Sequence, residues 1–150
     1  YIELGYNWRM PTMVAALGIS QMKKLEKVIK MRREIAAQLS KNLSCIDEIE
    51  IPKEPAGFRH TYQMYTIRVK AGLKKREELR EHLSKRGITV KVYFDPVHLS
   101  HFYRERMGYQ RGLLPVTEET SDTVLTLPIY PTMTNDERGY LIESVIEFFA

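Results

Sequence analysis

The sequence holds a single cysteine, Cys45, and a single tryptophan, Trp8, in 150 residues. One cysteine excludes an internal disulfide framework and any zinc site built from several cysteines, and it points to a reducing, cytoplasmic compartment. A nucleophilic thiol needs a positive, partly exposed setting. The acidic, apolar stretch "NLSCIDEIE" does not supply one. No apolar run is long enough to cross a bilayer. A glycine-rich phosphate loop is missing too, since "ALGIS" lacks the further glycines that such a loop needs. The opening "YIELGYNWRM" has neither the basic region nor the apolar core of a signal peptide and does not begin with Met, which reads as a fragment or processed chain.

What remains is an ordinary globular composition, 43% hydrophobic and 28% charged, with a net charge of +4. A chain of this length buries a core without covalent staples. The positive charges fall mainly on runs such as "KKLEKVIKMRRE", where interspersed acids mark a solvated helix face.

Helical spacing of Val14, Leu17, Met22, Leu25, Val28, Ile29, Ile35, Leu39 and Leu43 predicts one long helix from about Pro11 to Asn42. Ala15, Ala16 and Gly18 thin its first turns, so another backbone can approach closely there. A short strand and loop are expected in "IDEIEIPKEPAG", and strands over Thr61–Val69 and in "ITVKVYF". Between those strands "LKKREELREHLSKRG" reads as a helix with Leu73, Leu79 and Leu83 inward. A long loop follows with one helical turn around Phe102–Arg106, then a short helix capped by Thr117, a strand in "VLTLPIY", and a terminal helix. Thr134 and Glu137 form a capping box at the start of that last helix. The order α-β-β-α-β-(α)-β-α predicts an α+β fold, with helices packed on a small, mainly antiparallel sheet.

Two segments carry chemistry. Asp95, His98 and His101 in "DPVHLSH" are metal-ligand types, but Pro96 disfavours the helix that would put both histidines on one face, so a place at a ligand edge or on the surface is favoured. The interleaved aromatics and bases of this loop also occur in single-strand nucleic-acid binders, yet they serve equally in packing. In "GYNWRMP", Asn7 offers an amide and Arg9 a fork suited to phosphate or carboxylate, just ahead of a helix N-terminus; the same residues equally suit a helix-entry segment in which Asn and Arg satisfy nearby carbonyls.

The stretch "LGYNWRMPTMVAALGISQMKKLEKVIKMRREIAAQL", with "HTYQMYTIRV", the "PVHL" loop and "LTLPIYPTMTNDERGYLIESVIEFF", resembles the DegT/DnrJ/EryC1/StrS aminotransferases in the right order over essentially the whole chain. The resemblance implies the small C-terminal domain of a fold-type I, pyridoxal-phosphate-dependent sugar aminotransferase. Residues 1–12 would be the tail of the large domain. It implies a homodimer in which Asn7 reaches the cofactor phosphate in the partner's site. Tyr6, Arg9 and His98 are the substrate-side residues implied, with a nucleotide sugar and an amino-acid donor as ligands. Such chemistry needs a Schiff-base lysine. The family places it upstream, and none of Lys23, Lys24, Lys27, Lys30, Lys70, Lys74, Lys75, Lys85 or Lys91 has the apolar setting that catalysis demands. No catalytic residue, metal, membrane or nucleic-acid partner is therefore expected in this stretch. The alternative is a non-catalytic binding or regulatory module derived from such a domain.

Overall fold

The computed structural model describes residues 2–150. Six helices surround a three-stranded antiparallel sheet of order β1-β2-β3, built from Ile49–Glu50, Tyr65–Val69 and Val124–Leu127. The helices are α1 (Thr12–Met22), α2 (Leu25–Leu43), α3 (Leu73–Lys85), α4 (His101–Met107), α5 (Pro115–Thr123) and α6 (Asn135–Phe149). The expected α+β class is the one observed.

The core sits on one face of the sheet. Alternation along β2 sends Tyr65, Ile67 and Val69 to that face, where each is fully buried. Leu125 and Leu127 of β3 join them, and Leu39 and Leu43 of α2, Leu79 and Leu83 of α3, and Leu141 and Val145 of α6 close the cluster. The Tyr65 hydroxyl reaches the edge of the core, where it shares a 2.9 Å hydrogen bond with Ser40. On the opposite face Thr66 and Thr126 join their hydroxyls at 2.8 Å. The capping box is present at α6: Glu137 N donates to the Thr134 hydroxyl and Thr134 N to the Glu137 carboxylate.

Five expectations are corrected. The single long helix is two. The chain tightens at Lys23–Lys24, where Lys24 N donates to Gln21 O at 2.9 Å, a three-residue turn spliced into the four-residue ladder. The amphipathic stripe starts only after this joint, with Ile29 the first buried residue. The strand over Thr61–Val69 begins at Tyr65, because Tyr62 takes a left-handed φ of 49° and breaks the extension. "ITVKVYF" shrinks to one bridge, Lys91 to Thr126. Continuing that antiparallel ladder would set Thr89 against Pro128, which has no N–H to give. Leu73 lies exposed at the start of α3, and Arg76 is buried there instead. The short helix also starts earlier than Thr117, with Pro115 in its first turn.

α1 is the element without a partner. None of its residues is buried and none is charged, so it is apolar on every side, with Met13 86%, Leu17 60% and Ile19 62% exposed. A helix apolar all round is normally an interior one. Leu17→Ala should therefore change the stability of this chain by less than about 0.5 kcal/mol. Leu79→Ala, at a fully buried position, should cost about 2–5 kcal/mol. Urea denaturation of the two variants makes the comparison, and a large loss for Leu17→Ala would show α1 to be packed.

A clasp ties the loop after β1 to α2. Arg33 holds the Glu54 carboxylate with both guanidinium nitrogens and donates to His60 O at 2.8 Å, while His60 N donates back to Glu54 at 2.7 Å. Arg59 grips Glu26 of α2 at 2.6 and 3.2 Å. The Arg33 hydrogen bond, with that from His60 N, pulls Glu54 from an ordinary 4.5 down to about 2. A carboxyl depressed on folding stabilises above its unfolded value, and that contribution is lost as pH falls through the folded one. The clasp should hold above about pH 4.5 and release towards pH 2. The His60 amide resonance reports it, and Glu54→Gln should abolish the transition.

Candidate functional site

The expected site residues fall in two places. Tyr6, Asn7 and Arg9 lie together in the segment that leads into α1, all exposed. Asn7 adopts a left-handed φ of 54°, a conformation that Asn tolerates better than most residues. Its carbonyl accepts from Arg9 N at 2.8 Å, and the rings of Tyr6 and Trp8 stack with centroids 5.3 Å apart. Among the described residues, the Asn7 amide and the Arg9 guanidinium form no side-chain hydrogen bond or ion pair. This segment is a polar and aromatic finger with free donors.

His98 is elsewhere and is not on the open face of its loop. It sits in a 3-10 turn, Val97–Leu99, and is buried, with Nε2 2.9 Å from the Glu118 carboxylate. His101, its sequence neighbour, is exposed at the start of α4. Ser100, extended between that turn and α4, keeps the two histidines off a common helix.

Glu118 is the residue that sequence reasoning missed. One oxygen accepts from Gly112 N at 2.9 Å, Leu114 N at 3.2 Å and His98; the other accepts from Gly112 N at 2.8 Å. Burial pushes its pKa up, but the bonds from Gly112, His98 and Leu114 outweigh that, so it stays below the usual carboxylate range. An ionised carboxylate only accepts, so every one of these partners is a donor.

The rest of α5 extends this anchorage. Ser121 Oγ donates to Phe94 O at 3.1 Å, and Arg111 pairs with Asp122. The whole excursion from Phe94 to Leu114 is thus held from one helix. That helix is tied to the sheet by Arg68, which reaches Thr123 at 3.2 Å and Glu119 at 2.5 Å. Buried Arg76 of α3 donates to Asp122 O at 3.3 Å. Nothing local distinguishes Glu118 from Glu119. One is buried under the loop and its neighbour is a solvated partner of Arg68.

The lysines bear out the sequence reading of their settings. None is buried, and the one half-buried example, Lys75, lays its ammonium over the Phe148 ring at 4.4 Å. A cavity of about 700 Å³ lies between α2 and the clasp, but its lining charges include the paired Glu26, Arg33 and Arg59, and none of the expected site residues borders it.

Comparison with known proteins places this geometry. Residues 1–146 match the DegT/DnrJ/EryC1/StrS aminotransferase family. The chain belongs to that family. It is 34% identical over 147 residues to the GDP-perosamine synthase of Escherichia coli O157:H7, a match covering 98% of this chain and 38% of the relative. It is 31% identical to the spore coat polysaccharide biosynthesis protein SpsC of Bacillus subtilis, over 94% of this chain and 37% of that protein. The crystal structure of S. venezuelae DesV, in complex with a ketimine intermediate, superposes with a TM-score of 0.86 at 29% identity, over 98% of this chain and 38% of the other. The chain therefore spans little more than a third of the length of the aminotransferase-family proteins it resembles. No helix among the described residues is long and apolar enough to cross a membrane.

The anchorage yields a prediction. Ser121→Ala should cost about 1 kcal/mol, the net worth of one hydrogen bond. It should speed amide exchange from Phe94 onward while leaving exchange in α2 and α6 unchanged. Hydrogen exchange followed by mass spectrometry reads both, and uniform acceleration across the chain would show that Ser121 stabilises the core rather than the loop.

Proposed function

We propose that this chain is the C-terminal part of a pyridoxal-phosphate-dependent aminotransferase. The enzyme moves an amino group from an amino acid to a nucleotide-linked keto sugar, in polysaccharide or surface-sugar biosynthesis. The observation that carries the reading is the family match over residues 1–146 in a chain spanning about 38% of its relatives. The sugar-related names of two similar proteins support the substrate class.

Pyridoxal phosphate, when bound, supplies the chemistry that carries the amino group. The residues here fit a share of its site, not the whole. Asn7 presents a free amide from an exposed finger, suited to a phosphate oxygen. The absence of any buried lysine leaves the covalent attachment to the rest of the enzyme. In this reading residues 1–12 are the tail of the large domain, and the finger serves the partner subunit of a homodimer. Its free donors and exposed rings are groups awaiting a surface. Arg9 pairs with an anionic group of the substrate, Tyr6 lines the sugar, and His98 meets it from the loop. Uncharged α1, with every side apolar, packs against the large domain or the partner.

The test is made on the full-length protein, supplied with pyridoxal phosphate, glutamate and GDP-, UDP- or dTDP-linked 3-keto and 4-keto sugars in turn, with amino-sugar formation followed by mass spectrometry. Turnover of one of them is expected, and turnover of none overturns the reading. Asn7→Ala should weaken cofactor affinity by about 1.5–3 kcal/mol, the worth of a hydrogen bond to a charged group, with the melting temperature of the apo protein unchanged. A large fall in melting temperature with unchanged affinity would assign Asn7 to structure.

A further inference from the structure

We propose that Lys91 is a substrate-binding residue, whose ammonium holds the diphosphate of the nucleotide-linked sugar at the point where two cavities meet. The ligand rests on the aminotransferase reading, and its place rests on the geometry of this chain.

The register of the sheet sets this lysine on the open face. Lys91 and Thr126 exchange backbone hydrogen bonds at 3.2 and 2.8 Å, so they stand directly opposite one another. Residues paired in this way share a face of the sheet. Thr126 joins Thr66 on the face away from the helices, and Lys91 stands beside them. Its side chain is exposed and, among the described residues, forms no ion pair or side-chain hydrogen bond. Lys75 and Lys85 differ, since each pairs with a glutamate one turn away on α3.

Two cavities adjoin Lys91. One, of about 310 Å³, is walled by Gln63, Met64, Thr126 and Tyr130, and Lys91 is the only charged residue lining it. The other, of about 490 Å³, lies between α3 and residues 90–95. There Arg76, Arg80 and Lys91 face Glu77 and Asp95, and Glu77 is already held by both arginines. Lys91 and Tyr93 are the two residues common to both cavities. Their junction thus carries a free positive charge and an aromatic ring, with room on either side.

A nucleotide-linked sugar has the matching form: two bulky, uncharged ends, nucleoside and sugar, joined by an anionic diphosphate. A lysine meets phosphate as a compact point charge and needs no fixed fork. The Gln63 amide and the Tyr93 hydroxyl can bond ligand hydroxyls, while Met64 and the tyrosine rings offer apolar faces. Ligand sites run upward from about 300 Å³, so each cavity has room for one end. A small amino-acid donor would leave one of the two empty.

Isothermal titration calorimetry on the full-length protein, loaded with pyridoxal phosphate, tests the assignment with GDP, UDP and dTDP as probes. For the nucleotide that the wild type binds, Lys91→Gln should raise Kd about tenfold, equivalent to about 1.4 kcal/mol. Affinity for pyridoxal phosphate should stay unchanged, and Lys91→Arg should restore most of the nucleotide affinity. A second measurement needs no variant. Acetylation of Lys91 in the wild type, read by mass spectrometry, should slow when that nucleotide is present and not when its parent nucleoside is. Unchanged nucleotide affinity in folded Lys91→Gln, or no protection of Lys91 in the wild type, overturns the proposal. Weakened pyridoxal phosphate binding with nucleotide affinity unaffected also overturns it, by placing Lys91 at the cofactor. A wild type that binds none of the three nucleotides overturns the nucleotide-sugar reading, and the ligand assigned here falls with it.

Discussion

β2 is the strand on which the rest of the structure depends. It has a hydrogen-bonded neighbour on each side, β1 and β3. Its core-facing residues Tyr65, Ile67 and Val69 admit no solvent. Three short strands bury little by themselves, so the sheet is stable only because α2, α3 and α6 lay their apolar stripes across that one face. The candidate site segments hang from the other side or the periphery. Arg68, on the outer face of the same strand, holds α5, and α5 holds the loop.

The chain thus passes rigidity outward in steps: from an apolar core, through two arginines, to a helix whose carboxylate organises a long irregular excursion. Each step is polar, and the burial of Arg76, Glu118 and His98 is tolerated because each has partners. The aminotransferase family match over residues 1–146 gives this scaffold its context.

At the other end of the molecule the logic reverses. The finger with Tyr6, Asn7 and Arg9, and the uncharged helix after it, have side-chain donors and apolar sides left exposed among the described residues. A core-facing helix reveals its partner through one apolar stripe, as α2 does. A helix apolar all round asks for contact on several sides at once. The joint at Lys23–Lys24 separates these two kinds of helix, and charge appears where burial by this chain begins.

Patterns of period and cap were legible in the sequence because they are local. The apolar spacing of α2, the alternation in Tyr65–Val69, the Thr134–Glu137 box and the lack of a sheltered lysine are each decided within a few residues. The α+β class followed from their order, and the family resemblance from motifs spread in that order. Tertiary structure alone decided the rest. Thr89 would have to pair with a proline far along the chain, so a well-patterned strand became a single bridge. Tyr62 turned left-handed and shortened β2, and Arg76 went inside in place of Leu73. Between two adjacent glutamates, it was the placement of a distant loop that made Glu118 a buried anchor and left Glu119 in solvent, because a carboxylate is buried only where enough donors converge on it, and those donors come from residues the local sequence cannot see.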